Sequence, residues 1–256
     1  MRLKNKAIVV TGGTSGIGAA IAKAIIREGG QVLVHGINEE EGRKLVGILG
    51  ENAQLCIADL RDEKSSEVIV STCLNGFEKI DGIINNAAII KNSNLNGLTM
   101  AEYQETIQVN LTAALFLIQA AFDELKKSQG SVLNIGSINA YAGESSLLAY
   151  SISKGGMQVM TRNLANANGI HGIRVNQINP GWVLTEREEK HKIATGMEPG
   201  WPERLTRNEI PFGKMTTPEQ LAEAAIYWLG DESRPFTGAV VELEQFSIIG
   251  RNPEKL

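Results

Sequence analysis

The sequence has little cysteine, few aromatic residues and no long hydrophobic run. Of its 256 residues, two are cysteine and 5% are aromatic, so a disulfide framework is excluded. Neither Cys56 nor Cys73 has a nearby Cys or His at zinc-ligand spacing, and we expect no metal site. No apolar run approaches the roughly 20 residues of a membrane-spanning helix. Because the first residues also lack a signal-peptide pattern, we expect a reducing, cytoplasmic location.

The sequence also lacks a strong excess of either charge. The formal net charge is −4 and the isoelectric point is about 5.6, which argues against nucleic acid or an anionic membrane as the main partner. An apolar share of 43% and a charged share of 21% are typical of a globular domain. We therefore expect a folded protein with no nucleic-acid partner and no membrane partner.

A regular alternation of two patterns fills the chain. Short apolar runs, typical of strands buried on both faces, occur at 7–10, 31–34, 54–58, 82–84, 131–135, 174–178 and 238–243. Helical patterns occur at 19–27, from 39 onward, at 63–74, as one long helix at 100–125, at 147–167 and at 218–229. Strands that alternate with helices predict a parallel sheet with helices on both faces. The prediction is one α/β domain over residues 1–256, with a doubly wound parallel sheet of about seven strands.

Two local features indicate where this sheet binds a ligand. The first strand is followed by TGGTSGIG at 11–18 and then by a helix, the context in which a glycine-rich turn and a helix N-terminus bind phosphate. Polar residues also follow several strands, namely Thr11, Asp59, Asn85, Ser137 and Asn179. Ligands of open parallel sheets bind at the carboxyl ends of the strands, so we expect these residues to lie near one site.

Tyr150 and Lys154 are the candidate catalytic pair. Residues four apart lie on one face of a helix, so the Lys154 ammonium would favour the Tyr150 phenolate and lower the phenol pKa from about 10. A pKa near 7 requires roughly 4 kcal/mol of differential stabilisation, and it provides a proton donor and acceptor for neutral pH. Such a pair is frequent by chance, and alone it does not establish catalysis.

Several motifs together resemble those of the short-chain dehydrogenase/reductase family. The run TGGTSGIG is similar to its cofactor motif TGxxxGIG, and NNAA is similar to its NNAG, with Ala88 in place of glycine. The serine and YxxxK of its catalytic set, the asparagine of its long helix and its NPG motif are matched by Ser137, Tyr150, Lys154, Asn110 and residues 179–181. The resemblance covers nearly the whole chain. It implies a single-domain Rossmann fold and a nicotinamide-dependent interconversion of a secondary alcohol and a ketone.

The resemblance also implies roles for the catalytic set. Tyr150 would exchange a proton with the substrate oxygen, which the Ser137 hydroxyl would also hydrogen-bond. Lys154 would lower the phenol pKa and hold the nicotinamide ribose. Asn110 would hold a water that relays protons to Lys154, and a polar residue that only bends its helix is the alternative.

Cofactor contacts follow from the same resemblance. Asp59 would accept from the adenine amino group, unless it caps a helix. Thr185 would meet the nicotinamide carboxamide, unless it is a plain loop residue. His35 is either an adenosine contact or, as we favour, a buried histidine with satisfied hydrogen bonds. The remaining implied contacts are Gly12, Thr14, Ser15, Gly16, Ile17, Gly18, Gly36, Ile37, Asn38, Leu60, Asn86, Ala87, Ala88, Tyr150, Lys154, Pro180, Gly181 and Val183.

The end of the second strand distinguishes NAD from NADP, since an acidic residue there binds the ribose and an arginine accommodates the 2′-phosphate. Gly36 and Ile37 at this point are neither acidic nor basic. Ser15 stands where phosphate-preferring members often carry a basic residue, and the acidic residues at 39–41 would repel a 2′-phosphate. This favours NAD, with NADP not excluded and with Asn38 as a neutral ribose contact.

The expected substrate contacts lie at 139–145 and in a loop at 182–215, which is either a mobile lid or a solvated surface helix. Asn139 and Glu144 would bond hydroxyl groups, and Trp182 would cover the apolar face of a sugar. The leading hypothesis is therefore a sugar, sugar acid or polyol. The alternatives are a 3-oxoacyl thioester reductase, an enzyme for a steroid or other apolar alcohol, and a non-catalytic dinucleotide-binding sensor.

The C-terminal region departs from the family pattern. Where a DGG-like sequence is usual, residues 244–246 are EQF. The tail at 247–256 either approaches a site or is a frayed end. The resemblance also implies a homotetramer built through the long helices, and the apolar residues at 111–122 and 147–160 are compatible with it, although a monomer's core would use them too.

Overall fold

The centre of the protein is one parallel sheet. The structure is a computed structural model that describes residues 1–246, so the expected role of the tail at 247–256 lies outside the described residues. The strands are β1 (Ala7–Val10), β2 (Gln31–Gly36), β3 (Ala53–Ile57), β4 (Gly82–Asn85), β5 (Ser131–Ile135), β6 (Arg174–Pro180) and β7 (Val240–Leu243). Their order is β3-β2-β1-β4-β5-β6-β7, and every pairing is parallel. The predicted α/β class is confirmed.

Helices cover both faces of this sheet. They are α1 (Gly16–Arg27), α2 (Glu39–Leu49), α3 (Ser65–Phe77), α4 (Met100–Ile107), α5 (Ala113–Ala120), α6 (Phe122–Ser128), α7 (Asn139–Ala142), α8 (Leu148–Asn168), α9 (Glu186–Ala194) and α10 (Pro218–Leu229). A π-helical turn at Gln108–Thr112 joins α4 to α5, and short 3₁₀ turns occur at Gly169–His171, Trp201–Arg204 and Asp231–Ser233.

Alternate residues of each strand enter two separate cores. In β1, Ile8 and Val10 pack in a cluster with α1 and α10, whereas Ala7 and Val9 pack in a cluster with α3 and α5. All four are fully buried, and complete burial of a Val or Ile side chain contributes about 1.5–3 kcal/mol. A strand buried on both faces has no polar side, which is why its sequence is a continuous apolar run.

Both cysteines lie in the second core, on β3 and α3. Burial raises the pKa of both thiols, that of Cys73 to about 12. A buried thiol with a raised pKa is chemically inert and packs as a small apolar side chain.

The predicted single helix at 100–125 is wrong, because the chain departs from an α-helix twice. The π-helical turn interrupts it first, and the axis then bends by 60° between Ala120 and Phe122. At the bend, Ala121 is fully buried and adopts φ −92° and ψ 4°. No proline or glycine occurs in this stretch, so packing of Ala121 into the second core, rather than local propensity, explains the bend.

The segment 182–215 contains one regular helix, α9, whose first turn is capped by Thr185. The Glu188 N–H donates to Thr185 Oγ1 over 3.1 Å. Further along, Trp201, Ile210 and Met215 form a third, small apolar cluster. A bridge between Val183 and Thr216 closes the base of the segment. Of the residues in this segment, the nine of α9 form the surface helix that was one of the two sequence-based alternatives.

Neither a single bilayer-spanning helix nor a cluster of metal ligands occurs within residues 1–246. No single helix combines the length and the apolar composition of a bilayer span, although the bent pair Met100–Ala120 and Phe122–Ser128 passes that test together. No group of three or more His, Cys, Asp or Glu side chains in the same part of the chain is placed to hold a metal ion.

Candidate active site

A cavity of about 530 Å³ lies beyond the carboxyl ends of β4, β5 and β6. The residues predicted from the sequence that line it are Ile17, Asn86, Ala88, Ser137, Asn139, Glu144, Tyr150, Lys154, Pro180, Gly181, Trp182, Val183 and Thr185. The structure thus brings together most of the predicted catalytic, nicotinamide-side and substrate residues, although they come from five separate parts of the chain. The predicted residues at 36–38 and 59–60 lie outside this cavity.

Helix α8 places Tyr150 and Lys154 on the same buried face. Their exposed fractions are 8% and 1%, and the Lys154 Nζ lies 5.6 Å from the centre of the Tyr150 ring. The ammonium donates to the Ile135 carbonyl at the end of β5, over 2.7 Å. Burial lowers the pKa of Lys154 to about 8, so this lysine titrates close to the working range of a proton-transfer site.

The pKa of Tyr150 moves in the opposite direction from the sequence-based expectation. Burial raises the pKa of the phenol, and a hydrogen bond with Ser137 lowers it by a smaller amount. The physical reason is that removal from water disfavours the phenolate. The Lys154 ammonium lies 5.6 Å from the centre of the ring and donates to the Ile135 carbonyl. In this structure Tyr150 is therefore a protonated phenol at neutral pH, which is the form that donates a proton.

Ser137 is held at the end of β5 by two backbone contacts. Its N–H donates to Asn179 Oδ1 over 3.1 Å, and its Oγ accepts from the Asn139 N–H over 3.1 Å. The side chain is 8% exposed and lines the cavity. The Ser137 hydroxyl thus accepts from a fixed backbone neighbour and is hydrogen-bonded with the Tyr150 hydroxyl.

A chain of buried polar side chains runs beneath the site and ends at Ser137. Asn85 Nδ2 donates to Asn134 Oδ1, Asn134 Nδ2 donates to Thr161 Oγ1, and Gln177 Nε2 donates to Asn179 Oδ1, over 2.8, 2.8 and 2.7 Å. Thr161 and Gln177 are joined over 2.9 Å. Every member is at most 2% exposed. Because unpaired buried amide groups are costly, these bonds orient Asn134, Gln177 and Asn179 and hence the backbone that carries Ser137. The exception is Asn85 Oδ1, which has no hydrogen-bond partner in the described part of the chain.

Asn110 occupies the π-helical turn and is fully buried. Its Oδ1 accepts from the Ile89 N–H over 2.7 Å, and its Nδ2 donates to the Ile89 carbonyl and to Ser153 Oγ, each over 3.0 Å. Ser153 Oγ in turn donates to the Tyr150 carbonyl over 2.6 Å. Both Nδ2 donors and one lone pair of Oδ1 are thus committed to protein partners, and the side chain does not line the cavity.

The glycine-rich turn at 11–18 is built for close backbone approach. Gly12 has φ +60°, and a Cβ there would lie 2.8 Å from the Ala87 Cα. A Cβ on Gly18 would lie 2.2 Å from the Gly12 carbonyl oxygen. Both separations are below real Cβ contacts, and φ > 0 is a glycine conformation. Among the described residues, no side chain caps the start of α1, where Thr14, Ser15, Gly16 and Ile17 lie.

Asn86 and His35 hold this turn in place. Asn86 Nδ2 donates to the Thr11 and Gly12 carbonyls over 3.0 and 2.9 Å. His35 is 1% exposed; its Nδ1 accepts from the Gly12 N–H over 3.4 Å, and its Nε2 lies 3.0 Å from the Ala58 carbonyl. Burial lowers the pKa of His35. The ring is therefore neutral with the proton on Nε2, and the interpretation as a satisfied buried histidine agrees with these contacts.

The expected adenosine side lies along the ends of β2 and β3. Asp59 pairs with the Arg61 guanidinium, whose Nε lies 2.9 Å from Oδ2, and this pairing holds the pKa of the carboxyl below its usual range. Asp59 does not cap α3, which begins at Ser65. Asn38 caps α2 through Oδ1, and Ile37 is 71% exposed. The remaining expected contacts here are Gly36, packed against Thr14, and Leu60, whose carbonyl accepts from Gln108.

Several cavity residues were not predicted from the sequence. They are Ile90, Asn92, Ile135, Gly136, Ile138 and Leu147, and, within the predicted segment 182–215 but not singled out there, Glu188, His191 and Lys192. The last three come from α9, where positions three and four apart share a face, and the mixed charges of that stretch gave no signal of which side would face the cavity. Ser153 was also missed, because a serine inside a helix carries no sequence signature of a link to a buried asparagine.

The residues of the site fit a dinucleotide. The glycine cradle leaves no room for Cβ atoms at Gly12 and Gly18, as close approach of backbone to a pyrophosphate requires. The uncapped start of α1 directs free N–H groups and a positive dipole toward the same place. From there the cavity continues to Lys154, Tyr150 and Thr185, where the nicotinamide side is expected.

Comparison with known proteins agrees with this architecture. Residues 6–195 match the family described as short chain dehydrogenase. The chain is 35% identical to an L-fucose dehydrogenase of Mus musculus, over 93% of this chain and 86% of the relative. It is 30% identical to an NADP-dependent (R)-specific alcohol dehydrogenase of Lentilactobacillus kefiri, over 93% and 94%. It is 29% identical to a 3-alpha-(or 20-beta)-hydroxysteroid dehydrogenase of Mycobacterium tuberculosis, over 97% and 92%.

The chain therefore belongs to the short-chain dehydrogenase/reductase family, and it is an oxidoreductase that acts on CH–OH groups. The names of these relatives cover a sugar, simple alcohols and steroids, so family membership leaves the substrate open. Fold does not determine substrate, which depends on the residues of the site.

Proposed function

We propose that the protein catalyses the NAD-dependent interconversion of a secondary alcohol and a ketone, on a sugar, sugar acid or polyol. The observation that carries the proposal is the placement of Ser137, Tyr150 and Lys154 on one wall of one cavity. All three are at most 8% exposed, so their interactions act in a medium of low dielectric constant, where they are strong. The proposed reaction is tested by nicotinamide absorbance in both directions, with candidate alcohols and ketones.

In the proposed reaction, Tyr150 gives its proton to the substrate oxygen during ketone reduction and takes one back during alcohol oxidation. The Ser137 hydroxyl donates a hydrogen bond to the same oxygen and stabilises charge that develops there. Lys154 places a positive charge beside the phenol and holds ribose hydroxyls. The chemistry that a bound nicotinamide would supply is hydride transfer, from NADH to the ketone or from the alcohol to NAD⁺. Asn110 acts by holding Ser153 and hence the turn of α8 that carries Tyr150.

Two features support NAD over NADP. The first turn of α2 carries Glu39, Glu40 and Glu41, which oppose the charge of a 2′-phosphate. Arg43, a nearby cation, is paired with Glu39 over 2.5 Å. We propose that Asn38 and the backbone at Gly36 and Ile37 contact the ribose. The rest of the proposed dinucleotide contacts are those assigned above to the glycine-rich turn, to Asp59 and Leu60, to 86–88, and to the cavity.

The cofactor proposal is tested by kcat/KM with NAD and NADP. A preference of about ten-fold or more for NADP, which corresponds to about 1.4 kcal/mol, would overturn it. The variant Ile37→Arg gives a more specific test. A guanidinium at this exposed position should raise kcat/KM with NADP and leave kcat/KM with NAD unchanged. Ile48→Arg, at an exposed position on the far part of α2, is the matched control.

Three cavity features support a polyhydroxylated substrate. Asn139 and Glu144 lie 3.4 Å apart, Nδ2 to Oε2, and offer donors and acceptors to hydroxyl groups. Trp182 also lines the cavity, where Lys192 Nζ lies 5.3 Å from the centre of its ring and Glu188 holds its indole over 2.8 Å. The L-fucose dehydrogenase relative favours a sugar. A panel of sugars, sugar acids, polyols, acyl thioesters and steroids distinguishes the alternatives, and turnover confined to thioesters or steroids would remove the sugar proposal.

We propose that residues 182–215 act as a lid over this cavity.

We also propose that the protein is a cytoplasmic homotetramer. Exposed apolar side chains on α5 and α8, at Leu115, Phe116, Ile152 and Val159, support association through these helices. Light scattering gives the mass in solution. A monomer at micromolar concentration would exclude the tetramer and leave the catalytic proposal intact, because every catalytic residue lies within one chain.

A further inference from the structure

The departure from the family pattern at 244–246 has a structural counterpart at the base of the segment 182–215. The sheet ends there with β6 paired to β7, and Pro180 lies opposite Leu243. The next residues along the two strands are Gly181 and Glu244. The Gly181 N–H donates to the Leu243 carbonyl over 3.1 Å, so the segment leaves the sheet beside the first residue of EQF.

Glu244 holds the beginning of the segment. Its Oε2 accepts from the Trp182 N–H over 2.9 Å, and its Oε1 accepts from the Gln245 N–H over 2.6 Å. A Cβ at Gly181 would lie 1.5 Å from Oε2, so only a glycine permits the carboxylate to come this close. Gly181 and Glu244 therefore form a matched pair in which the carboxylate fills the space that a side chain at 181 would need.

Gln245 holds the end of the same segment. Its Oε1 accepts from the Phe212 N–H over 2.9 Å, and its Nε2 donates to the Lys214 carbonyl over 2.6 Å. Adjacent side chains after β7 thus fasten residues that are 30 positions apart in the chain. A DGG-like sequence has aspartate at 244 and glycine at 245, and a glycine at 245 has no side chain and makes neither of the Gln245 bonds.

Trp182, the residue that Glu244 binds, contributes an aromatic side chain to the lining of the cavity. Trp182 donates through its backbone N–H to Glu244 and through its indole Nε1 to Glu188. Its ring stacks on Trp201 with centroids 5.2 Å apart and an interplanar angle of 20°. Both polar ends of Trp182 are held by carboxylates from different elements, and this fixes the position of the ring at the cavity.

We propose that Glu244 and Gln245 are positioning residues for substrate recognition. Their side chains form a clasp, defined here as the bonds of Glu244 to Trp182 and of Gln245 to Phe212 and Lys214, that holds both ends of the segment 182–215 and sets the Trp182 ring as a fixed wall. The substrate part of this inference rests on the proposed function. The clasp itself is a property of the chain and has readouts that need no substrate.

The test exchanges the two side chains, in the variant Glu244→Gln/Gln245→Glu. The exchange keeps composition, net charge and side-chain size. At position 244 the amide has one acceptor oxygen, whereas the carboxylate has two, so one of the two bonds of Glu244 is lost. At position 245 a carboxylate replaces the amide N–H donor and cannot bond to the Lys214 carbonyl. The matched control is the double substitution Glu51→Gln/Asn52→Asp, which moves one negative charge between exposed neighbours before β3 and keeps the net charge. Glu244→Gly/Gln245→Gly removes the clasp entirely.

Two readouts apply without substrate. Trypsin cleavage at lysines and arginines within 182–215, followed by mass spectrometry, should be about ten-fold faster in the exchanged variant, because each hydrogen bond lost adds several-fold to the open population. Acrylamide should quench the fluorescence of the Trp182–Trp201 pair more efficiently. The control variant should behave as the wild type. Unchanged cleavage and quenching in the glycine variant, or cleavage that rises equally outside the segment, would overturn the clasp.

Kinetics test the substrate part. The exchanged variant should raise KM for the substrate about ten-fold and should change the Kd of the cofactor by less, since the proposed cofactor contacts other than Gly181, Val183 and Thr185 lie on other elements. A KM equal to that of the wild type, in a variant whose segment is demonstrably loosened, would overturn the role in recognition. If the wild type turns over no alcohol or ketone, the proposed function fails, whereas cleavage and quenching still decide the clasp.

Discussion

The Lys154 ammonium lies 5.6 Å from the centre of the Tyr150 ring and donates to the Ile135 carbonyl over 2.7 Å. Burial acts on both groups in the direction of the neutral form, because it lowers the pKa of Lys154 to about 8 and raises that of Tyr150. The protein therefore holds a protonated phenol next to an amine that is readily deprotonated. A pair of titratable groups with shifted pKa values in one cleft is typical of a proton-transfer site.

Tyr150→Phe should lower kcat/KM by about 10²–10⁴, the usual contribution of a general acid or base. Cofactor binding, measured by fluorescence titration, should remain within about two-fold, because the ring is kept and only the hydroxyl is lost. Tyr227→Phe, at an exposed position on α10, is the control and should leave both quantities unchanged. Turnover by Tyr150→Phe at the wild-type rate would refute the assigned role and favour the non-catalytic sensor.

Lys154→Met should change how stability depends on pH. The pKa of Lys154 falls from 10.5 to about 8 on folding, so the unfolded chain binds more protons between these values and stability increases with pH across that window. Below about pH 8 the wild type carries the full burial penalty, about 3 kcal/mol for a shift of this size, from which Lys154→Met is relieved.

Urea unfolding from pH 6 to 9.5 checks this prediction, because the range stays below the titration of Tyr150. The free energy of unfolding of Lys154→Met, relative to the wild type, should be most favourable at low pH and should decline as the pH rises above 8. A difference that stays constant across the range would contradict a lowered Lys154 pKa. Lys190→Met, at an exposed position on α9, is the control and should show a flat difference.

His35 should make the protein less stable in mild acid. Burial lowers its pKa below the ordinary 6.5, so below pH 6.5 the unfolded chain takes up a proton that the folded chain does not, and stability falls with the pH. His35→Gln keeps a donor and an acceptor but does not titrate, so its unfolding free energy should fall less between pH 7 and pH 5. His171→Gln, a partly exposed control, should follow the wild type; identical curves for His35→Gln and the wild type would count against the prediction.

Ser153→Ala should weaken the link between the π-helical turn and the catalytic tyrosine. It removes the partner of Asn110 Nδ2 and the donor to the Tyr150 carbonyl, both fully buried, at a cost of about 1–3 kcal/mol. We expect kcat to fall more than KM rises, because the position of Tyr150 changes rather than the binding surface. Ser71→Ala, on the exposed face of α3, should have little effect; a Ser153→Ala enzyme with unchanged kcat would show that the link is only structural.

Much of the fold could be predicted because its signals are local. Each buried strand is a continuous apolar run, and the order of strands and helices allows few arrangements. The long helix at 100–125 was mispredicted, since Ala121 and Asn110 are compatible with a straight helix. Only contacts with residues distant in sequence, the second core and Ile89, explain the bend and the π-helical turn.

For the candidate site, too, some properties could be predicted from the sequence and others could not. The sequence by itself determined the family, the α/β class and which residues carry hydroxyl, amine and glycine chemistry, because these depend on residue type and spacing. Only the tertiary structure decided that burial raises the Tyr150 pKa, that Asn110 is committed to Ile89 and Ser153, and that Glu244 and Gln245 hold both ends of the segment 182–215. Burial and long-range hydrogen bonds depend on which groups the fold brings together, and no local pattern specifies that.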